Sequence, residues 1–85
     1  MIVKVKLFAT LRRYGPPDVK LGENFPVILD ESSDINRLLK KLKIPKDQAK
    51  IIMINGNISK RQEKLKEEDE VAIFPPVGGG TSILF

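Results

Sequence analysis

Neither cysteine nor histidine occurs in the 85 residues. The first absence excludes disulfides, thiolate nucleophiles and zinc-thiolate sites. The second excludes histidine general bases, Ser-His-Asp arrangements and ordinary imidazole metal sites. Side-chain catalysis and a bound metal are therefore not expected. Long apolar runs are also missing: Met1-Ile2-Val3-Lys4-Val5-Lys6 alternates where a signal peptide would be continuously apolar, and no stretch reaches the length of a membrane span. The expected location is the cytoplasm, with no membrane partner. Charge of one sign is in modest excess, 15 Lys and Arg against 11 Asp and Glu for a formal +4. That balance suits solubility or an acidic partner better than polyanion binding. Lys40, Lys41, Lys43, Lys46 and Lys50 have no aromatic residues among them to stack bases, so no nucleic-acid partner is expected; the polar side of a helix and a solvated loop accounts for them.

At this length a single domain is expected, burying about 60% of the surface its unfolded chain exposes. Alternation in the opening segment puts Val3, Val5 and Leu7 on one face and Ile2, Lys4, Lys6 and Phe8 on the other, a half-buried strand. Ala9 to Tyr14 reads as a short helical turn ended by Gly15-Pro16-Pro17-Asp18, and Phe25-Pro26-Val27-Ile28-Leu29 as a second strand with Pro26 near its start or on an edge. Ile35, Leu38, Leu39 and Leu42 fall at i, i+3, i+4 and i+7, the apolar stripe of a helix. Ser33 or Asp34 is its N-cap, cationic lysines suit its C-terminal end, and Pro45 is expected to stop it. Ile51-Ile52-Met53-Ile54 is apolar on both faces, as in an inner strand, and Asn55-Gly56 is a two-residue hairpin signal. Leu65 anchors a turn before Glu67-Glu68-Asp69-Glu70, and Val71 to Phe74 is the last strand. The expected fold is α+β, a mixed sheet of about five strands with one main helix packed on one face.

The closing stretch is the most distinctive. Pro75-Pro76 ends sheet pairing because proline has no backbone donor, and Val77-Gly78-Gly79-Gly80 continues as thin main chain. Division into a body over 1–77 and a flexible glycine-rich tail over 78–85 is expected. Extended at about 3.3 Å per residue, six residues from Pro75 to Gly80 would reach roughly 20 Å, deep enough to enter a partner's active site. The reactive group of such a tail would be a glycine carboxylate. In the chain as written Gly80 is joined to Thr81-Ser82-Ile83-Leu84-Phe85 by a peptide bond.

In this order, the opening Val3-Lys4-Val5-Lys6-Leu7-Phe8-Ala9-Thr10-Leu11-Arg12, the helix Ile35-Asn36-Arg37-Leu38-Leu39, the Ile54-Asn55-Gly56 hairpin, Leu65 through Asp69-Glu70-Val71, and the closing Phe74-Pro75-Pro76-Val77-Gly78-Gly79-Gly80 resemble the ubiquitin-like sulfur-carrier family, most closely the small subunits of molybdopterin synthase. The resemblance implies a β-grasp fold and a carrier that is not catalytic alone. It implies that Gly80, once it is the terminal residue, is adenylated with ATP by an activating enzyme of the ubiquitin-activating type and converted by a sulfur donor to a thiocarboxylate. The tail then enters the large subunit and gives up sulfur for the dithiolene that binds molybdenum or tungsten. No stably bound cofactor is implied; ATP belongs to the activating enzyme. Gly78 and Gly79 thread the tail, and Phe74, Pro75, Pro76, Val77 and Phe8 contact partners. Family members usually stop at the glycine pair, so removal of residues 81–85 by a protease is expected. The alternatives are a β-grasp interaction module with an unprocessed tail, and a sulfur carrier or protein modifier of another pathway.

Three further motifs carry less. Gly78-Gly79-Gly80-Thr81-Ser82 lacks the lysine and following helix of a phosphate loop. Asn57-Ile58-Ser59 matches a glycosylation acceptor but reads as part of the hairpin. The acids from Glu67 to Glu70 are expected to scatter into solvent, without assigned chemistry. Phe74 either caps the core or faces a partner with Phe8 and Ile2, depending on strand phase, and Arg12 and Arg13 are expected near the tail.

Overall fold

The computed structural model describes residues 1–76. Val77, the glycines Gly78, Gly79 and Gly80, and the extension over 81–85 lie outside the described residues, so the expected tail is not among them. Five strands form one mixed sheet: β1 (Ile2–Leu7), β2 (Phe25–Ile28), β3 (Ile51–Ile54), β4 (Asn57–Ile58) and β5 (Glu70–Phe74), in the order β2-β1-β5-β3-β4. The central pair, β1 and β5, is parallel; the other pairings are antiparallel. One α-helix, α1 (Ile35–Leu42), and two 3-10 turns, Ala9–Tyr14 and Lys46–Gln48, complete the architecture.

The alternation seen in the sequence sets the faces. Val3, Val5 and Leu7 of β1, Phe25 and Val27 of β2, Ile52 of β3, and Val71 and Ile73 of β5 are buried together with Ile35, Leu38 and Leu39 of α1. Each fully buried aliphatic side chain is worth about 1.5–3 kcal/mol relative to exposure. Leu11, from the 3-10 turn, and Leu65 plug the two ends of this core. Gly15 follows that turn closely against Phe25: a Cβ built there would stand 3.0 Å from the ring, so the chain turns here on a residue without a side chain.

Asp34 caps α1, its carboxylate accepting from the Arg37 backbone N–H at 3.0 Å, while the Ser33 hydroxyl donates to the Asp30 carbonyl at 2.7 Å. The helix stops earlier than Pro45 would require. Lys43 enters the left-handed region at φ 63°, and the Ile44 N–H reaches back to the Leu39 carbonyl at 2.9 Å, with Ile44 itself buried. That reversal satisfies the last carbonyls and ends the helix by backbone geometry; Pro45 follows it. The Asn55-Gly56 turn has both residues at positive φ, 51° and 86°, as the tight hairpin between β3 and β4 demands. β3 is an inner strand as its composition suggests, though β4 pairs with just Met53 and Ile54 of it.

Candidate partner-docking face

Among the described residues no helix lies on the opposite face of the same sheet. Parallel pairing of β1 and β5 sets Lys6 beside Ala72 and Leu7 beside Ile73, which brings Phe8 and Phe74 together just beyond the paired residues. Their rings stack with centroids 4.2 Å apart and planes 13° from parallel. Such a pair contributes about 0.5–1.5 kcal/mol beyond its area. Both residues remain half-buried, so part of each ring stays in water. Phe74 therefore faces outward, and the core-capping alternative is set aside. Ile51 lies opposite Phe74, and Met53 lies opposite both Ala72 and Ile58, so the apolar surface continues across β3 to β4. A shallow groove over it is lined by Phe8, Met53 and Ala72 with Lys4, Lys6 and Glu70 along its polar side.

Ile2 does not belong to this surface, contrary to the expectation that grouped it with Phe8. Parallel pairing leaves it at the other end of β1, where its carbonyl accepts from Glu68 and its cross-strand neighbour is Ile28. Five residues of strand lie between it and Phe8, a separation of roughly 20 Å.

The backbone at the exit of β5 is held from both sides. The Phe8 N–H donates to the Ile73 carbonyl at 3.2 Å, and the Lys50 N–H donates to the Phe74 carbonyl at 2.9 Å. These are the last strand-side anchors before Pro75, which is half-buried, and Pro76, which is exposed. The chain thus leaves the sheet beside the aromatic pair. The 3-10 turn carrying Arg12 and Arg13 packs against β1 and β5 at this end, and both arginines are exposed.

One feature escaped the sequence reading. Asp69 is not a solvated member of an acidic run; it is 8% exposed. One carboxylate oxygen accepts from the Asn55 side-chain amide at 2.9 Å and the other from the Lys66 N–H at 2.7 Å. Asn55 in turn accepts from the Glu70 N–H at 2.9 Å. The hairpin and the start of β5 are knitted by this network, which sets the strand that presents Phe74. The signal was the pairing of Asn55 in a tight turn with a short acidic side chain able to fold back on its own loop. Glu67 also has a structural contact, accepting from the Ile2 N–H at 3.1 Å. Lys4 pairs with Glu68 at 3.3 Å, both substantially exposed, a contact worth little in water.

Among the described residues no group of three or more Asp, Glu, Cys or His could hold a metal ion. Nor is any helix among them long and apolar enough to cross a membrane.

A mixed five-stranded sheet grasping one helix defines the class: this is a ubiquitin-like β-grasp protein. Residues 5–80 match the ThiS family, and the chain belongs to it; it is a ubiquitin-like sulfur carrier of that type. The structure is similar to small archaeal modifier protein 1 of Haloferax volcanii, with a TM-score of 0.69 at 22% identity, covering 89% of this chain and 98% of that one. It is similar to a putative molybdopterin converting factor subunit 1 from Pyrococcus furiosus, TM-score 0.65 at 26% identity, covering 89% and 98%. It also resembles a chain in the complex of subunits 1 and 2 of the molybdopterin-converting factor from Helicobacter pylori, TM-score 0.59 at 23% identity, covering 94% and 100%. No curated protein sequence matches the chain.

Proposed function

We propose that this carrier is the small subunit of a molybdopterin synthase, with the backbone carboxylate of Gly80 as its working group. The observation that carries the reading is the coincidence of two boundaries. The family match ends at residue 80, and Gly80 is the last of three glycines that follow a strand exit held beside a half-buried aromatic pair. The resemblance to molybdopterin converting factor subunit 1 supports the choice of pathway.

In this reading the body docks through Phe8, Phe74, Pro75 and Pro76, and Val77 to Gly80 passes into the partner. Gly78 and Gly79 contribute by having no Cβ to obstruct a narrow channel. The Gly80 carboxylate attacks the α-phosphate of ATP on a separate adenylating enzyme, releasing pyrophosphate. Adenylation makes the poor acyl electrophile reactive, and sulfide-level sulfur released by a donor then adds to the acyl carbon and displaces AMP, leaving the thiocarboxylate. The large subunit takes that sulfur into the dithiolene. The carrier supplies position and a reactive end, holds no cofactor of its own, and works in the cytoplasm with its activating enzyme and sulfur donor.

Adenylation requires a free carboxylate, so the Gly80–Thr81 bond must first be cleaved by a protease. That bond also favours a second reading, an interaction module whose tail remains uncut. Pyrophosphate exchange separates the two. A chain ending at Gly80 supports exchange by its activating enzyme, and the chain through Phe85 does not; equal exchange by both contradicts the processing step. Intact mass from the native host under active cofactor synthesis must show loss of 81–85 with a sulfur-for-oxygen gain, and retention of Phe85 there favours the interaction module.

A further inference from the structure

The peptide that joins Phe74 to Pro75 has no N–H, because its nitrogen belongs to proline, so the Phe74 carbonyl is the hydrogen-bonding group by which the protein can hold it. The Lys50 N–H donates to that carbonyl at 2.9 Å. Lys50 lies just before β3, whose first residue, Ile51, is paired with Phe74. Whatever fixes Lys50 therefore bears on the direction in which Pro75 and Pro76 leave the sheet.

Lys50 shares a peptide unit with Ala49, and Arg61 holds the other side of that unit. A single guanidinium nitrogen, Nη2, donates to the Ala49 carbonyl and to the Lys46 carbonyl, each at 2.8 Å. The Lys46 carbonyl also accepts from the Ala49 N–H at 3.2 Å, and Ala49 is 0% exposed. Arg61 is itself seated firmly. Its backbone carbonyl accepts from the Asn36 N–H in the first turn of α1 at 3.1 Å, and its Nε is shut off from solvent. Among the described residues the ion pairs are Met1 with Glu31 and Lys4 with Glu68, so the charge of Arg61 is directed at backbone carbonyls and not at an acid. A charged donor on a peptide carbonyl draws electron density from the unit and strengthens the N–H on its far side, here that of Lys50.

We infer that Arg61 is a positioning residue for the strand exit: through the Ala49–Lys50 peptide its guanidinium fixes the plane of the Phe74–Pro75 peptide and so aims the chain that follows. The contacts run from Arg61 Nη2 to the Ala49 carbonyl and from the Lys50 N–H to the Phe74 carbonyl, ending on the last residue of β5. On the reading of the tail as a carrier's working end, on which this role rests, the body docks through the aromatic pair and the aim of the main chain decides whether the Gly80 carboxylate reaches its target. Docking and aiming are then separate properties, the first held by Phe8 and Phe74 and the second by Arg61. Because one nitrogen makes both bonds, the ammonium of a lysine can stand in for it, whereas glutamine has neither the charge nor the reach.

The test has two arms, each comparing Arg61→Gln with Leu38→Val, which loosens the core without touching these contacts. In amide exchange of the full ¹⁵N-labelled chain, Arg61→Gln is expected to speed Lys50 by about fivefold or more relative to Asn55, whose N–H reaches the Glu70 carbonyl at the far end of the same strand pair. Leu38→Val changes that ratio by less than about twofold, and the amide spectrum reports folding of each variant directly. In pyrophosphate exchange with the chain ending at Gly80, Arg61→Gln lowers kcat by about fivefold or more and leaves KM for the carrier within about twofold. Arg61→Lys recovers about half of the original kcat or more, and Leu38→Val leaves both constants within about twofold. An unchanged ratio of Lys50 to Asn55 exchange, a rise in KM at constant kcat, an equal kcat loss in Leu38→Val, or no recovery with lysine would each overturn the assignment. Absence of pyrophosphate exchange by the unsubstituted chain ending at Gly80 counts against the carrier reading, and the amide ratio alone then decides the role of Arg61.

Discussion

The two faces of the sheet are made from alternate residues of the same strands, yet they are built for different ends. Beneath α1, Val3, Val5, Val71 and Ile73 are sealed to about 1% exposure or less by Ile35, Leu38 and Leu39. On the other side Phe8, Ala72, Phe74 and Met53 pack on one another laterally and stay half-exposed. The closed face holds the fold together, and the open one keeps apolar area in reserve. A substitution on the closed face should therefore appear mainly as lost stability, and one on the open face mainly as lost association.

The comparison is broken most forcefully at Leu38, which is 0% exposed. Leu38→Ala leaves a cavity under the sheet and is expected to cost about 2–5 kcal/mol in urea unfolding; a loss below that of open-face substitutions would refute the division of labour. Next is Asp69→Ala, which strips the Asn55 amide and the Lys66 N–H of their acceptor. The expected cost is about 1–3 kcal/mol, with the largest amide-exchange increase at the β3–β4 hairpin and the start of β5.

Phe74→Ala sharpens the contrast from the other side. It removes one ring of the stacked pair, with an expected stability loss of about 1–2 kcal/mol. Under the proposed function it should weaken binding to the large subunit by about tenfold or more in calorimetry, whereas a folded Leu38→Val variant should bind normally. Equal binding losses would mean that the open face is not the docking face. The smallest effect is expected at Lys43, where a non-glycine residue holds φ 63°. Lys43→Gly should stabilise the domain by about 0.5–1 kcal/mol in the same unfolding assay, without changing either face.

Much of the architecture was legible because it follows from local periodicities. Period two in Ile2–Leu7 and Glu70–Phe74, the i, i+3, i+4, i+7 stripe of α1, and Asn55-Gly56 each name an element with little tertiary help. The placement of Phe74 needed one further fact, the phase of β5, which the burial of Val71 and Ile73 settles. The reading failed where sign or composition stood in for geometry. Asp69 looked like one more solvated acid, but its carboxylate is drawn inward by two donors that converge only when the hairpin and β5 meet. Ile2 was grouped with Phe8 and Phe74 because all three lie on one face, but the parallel direction of β1 and β5 sets Phe74 beside Phe8, at the end of β1 far from Ile2. Pro45 looked like the helix stop, but Lys43 and Ile44 close the backbone before it.

By itself, the sequence determined the kinds of element, the residues that turn inward, the exclusion of cysteine and histidine chemistry, and a closing glycine run matched by a sulfur-carrier family. Those properties are local, since they depend on which side chains follow one another and on what each can donate or bury. Tertiary structure decided the pairing of Phe8 with Phe74 and the inward pull on Asp69. Each depends on strand direction, register and closure of the chain on itself, which bring together residues that no local spacing relates.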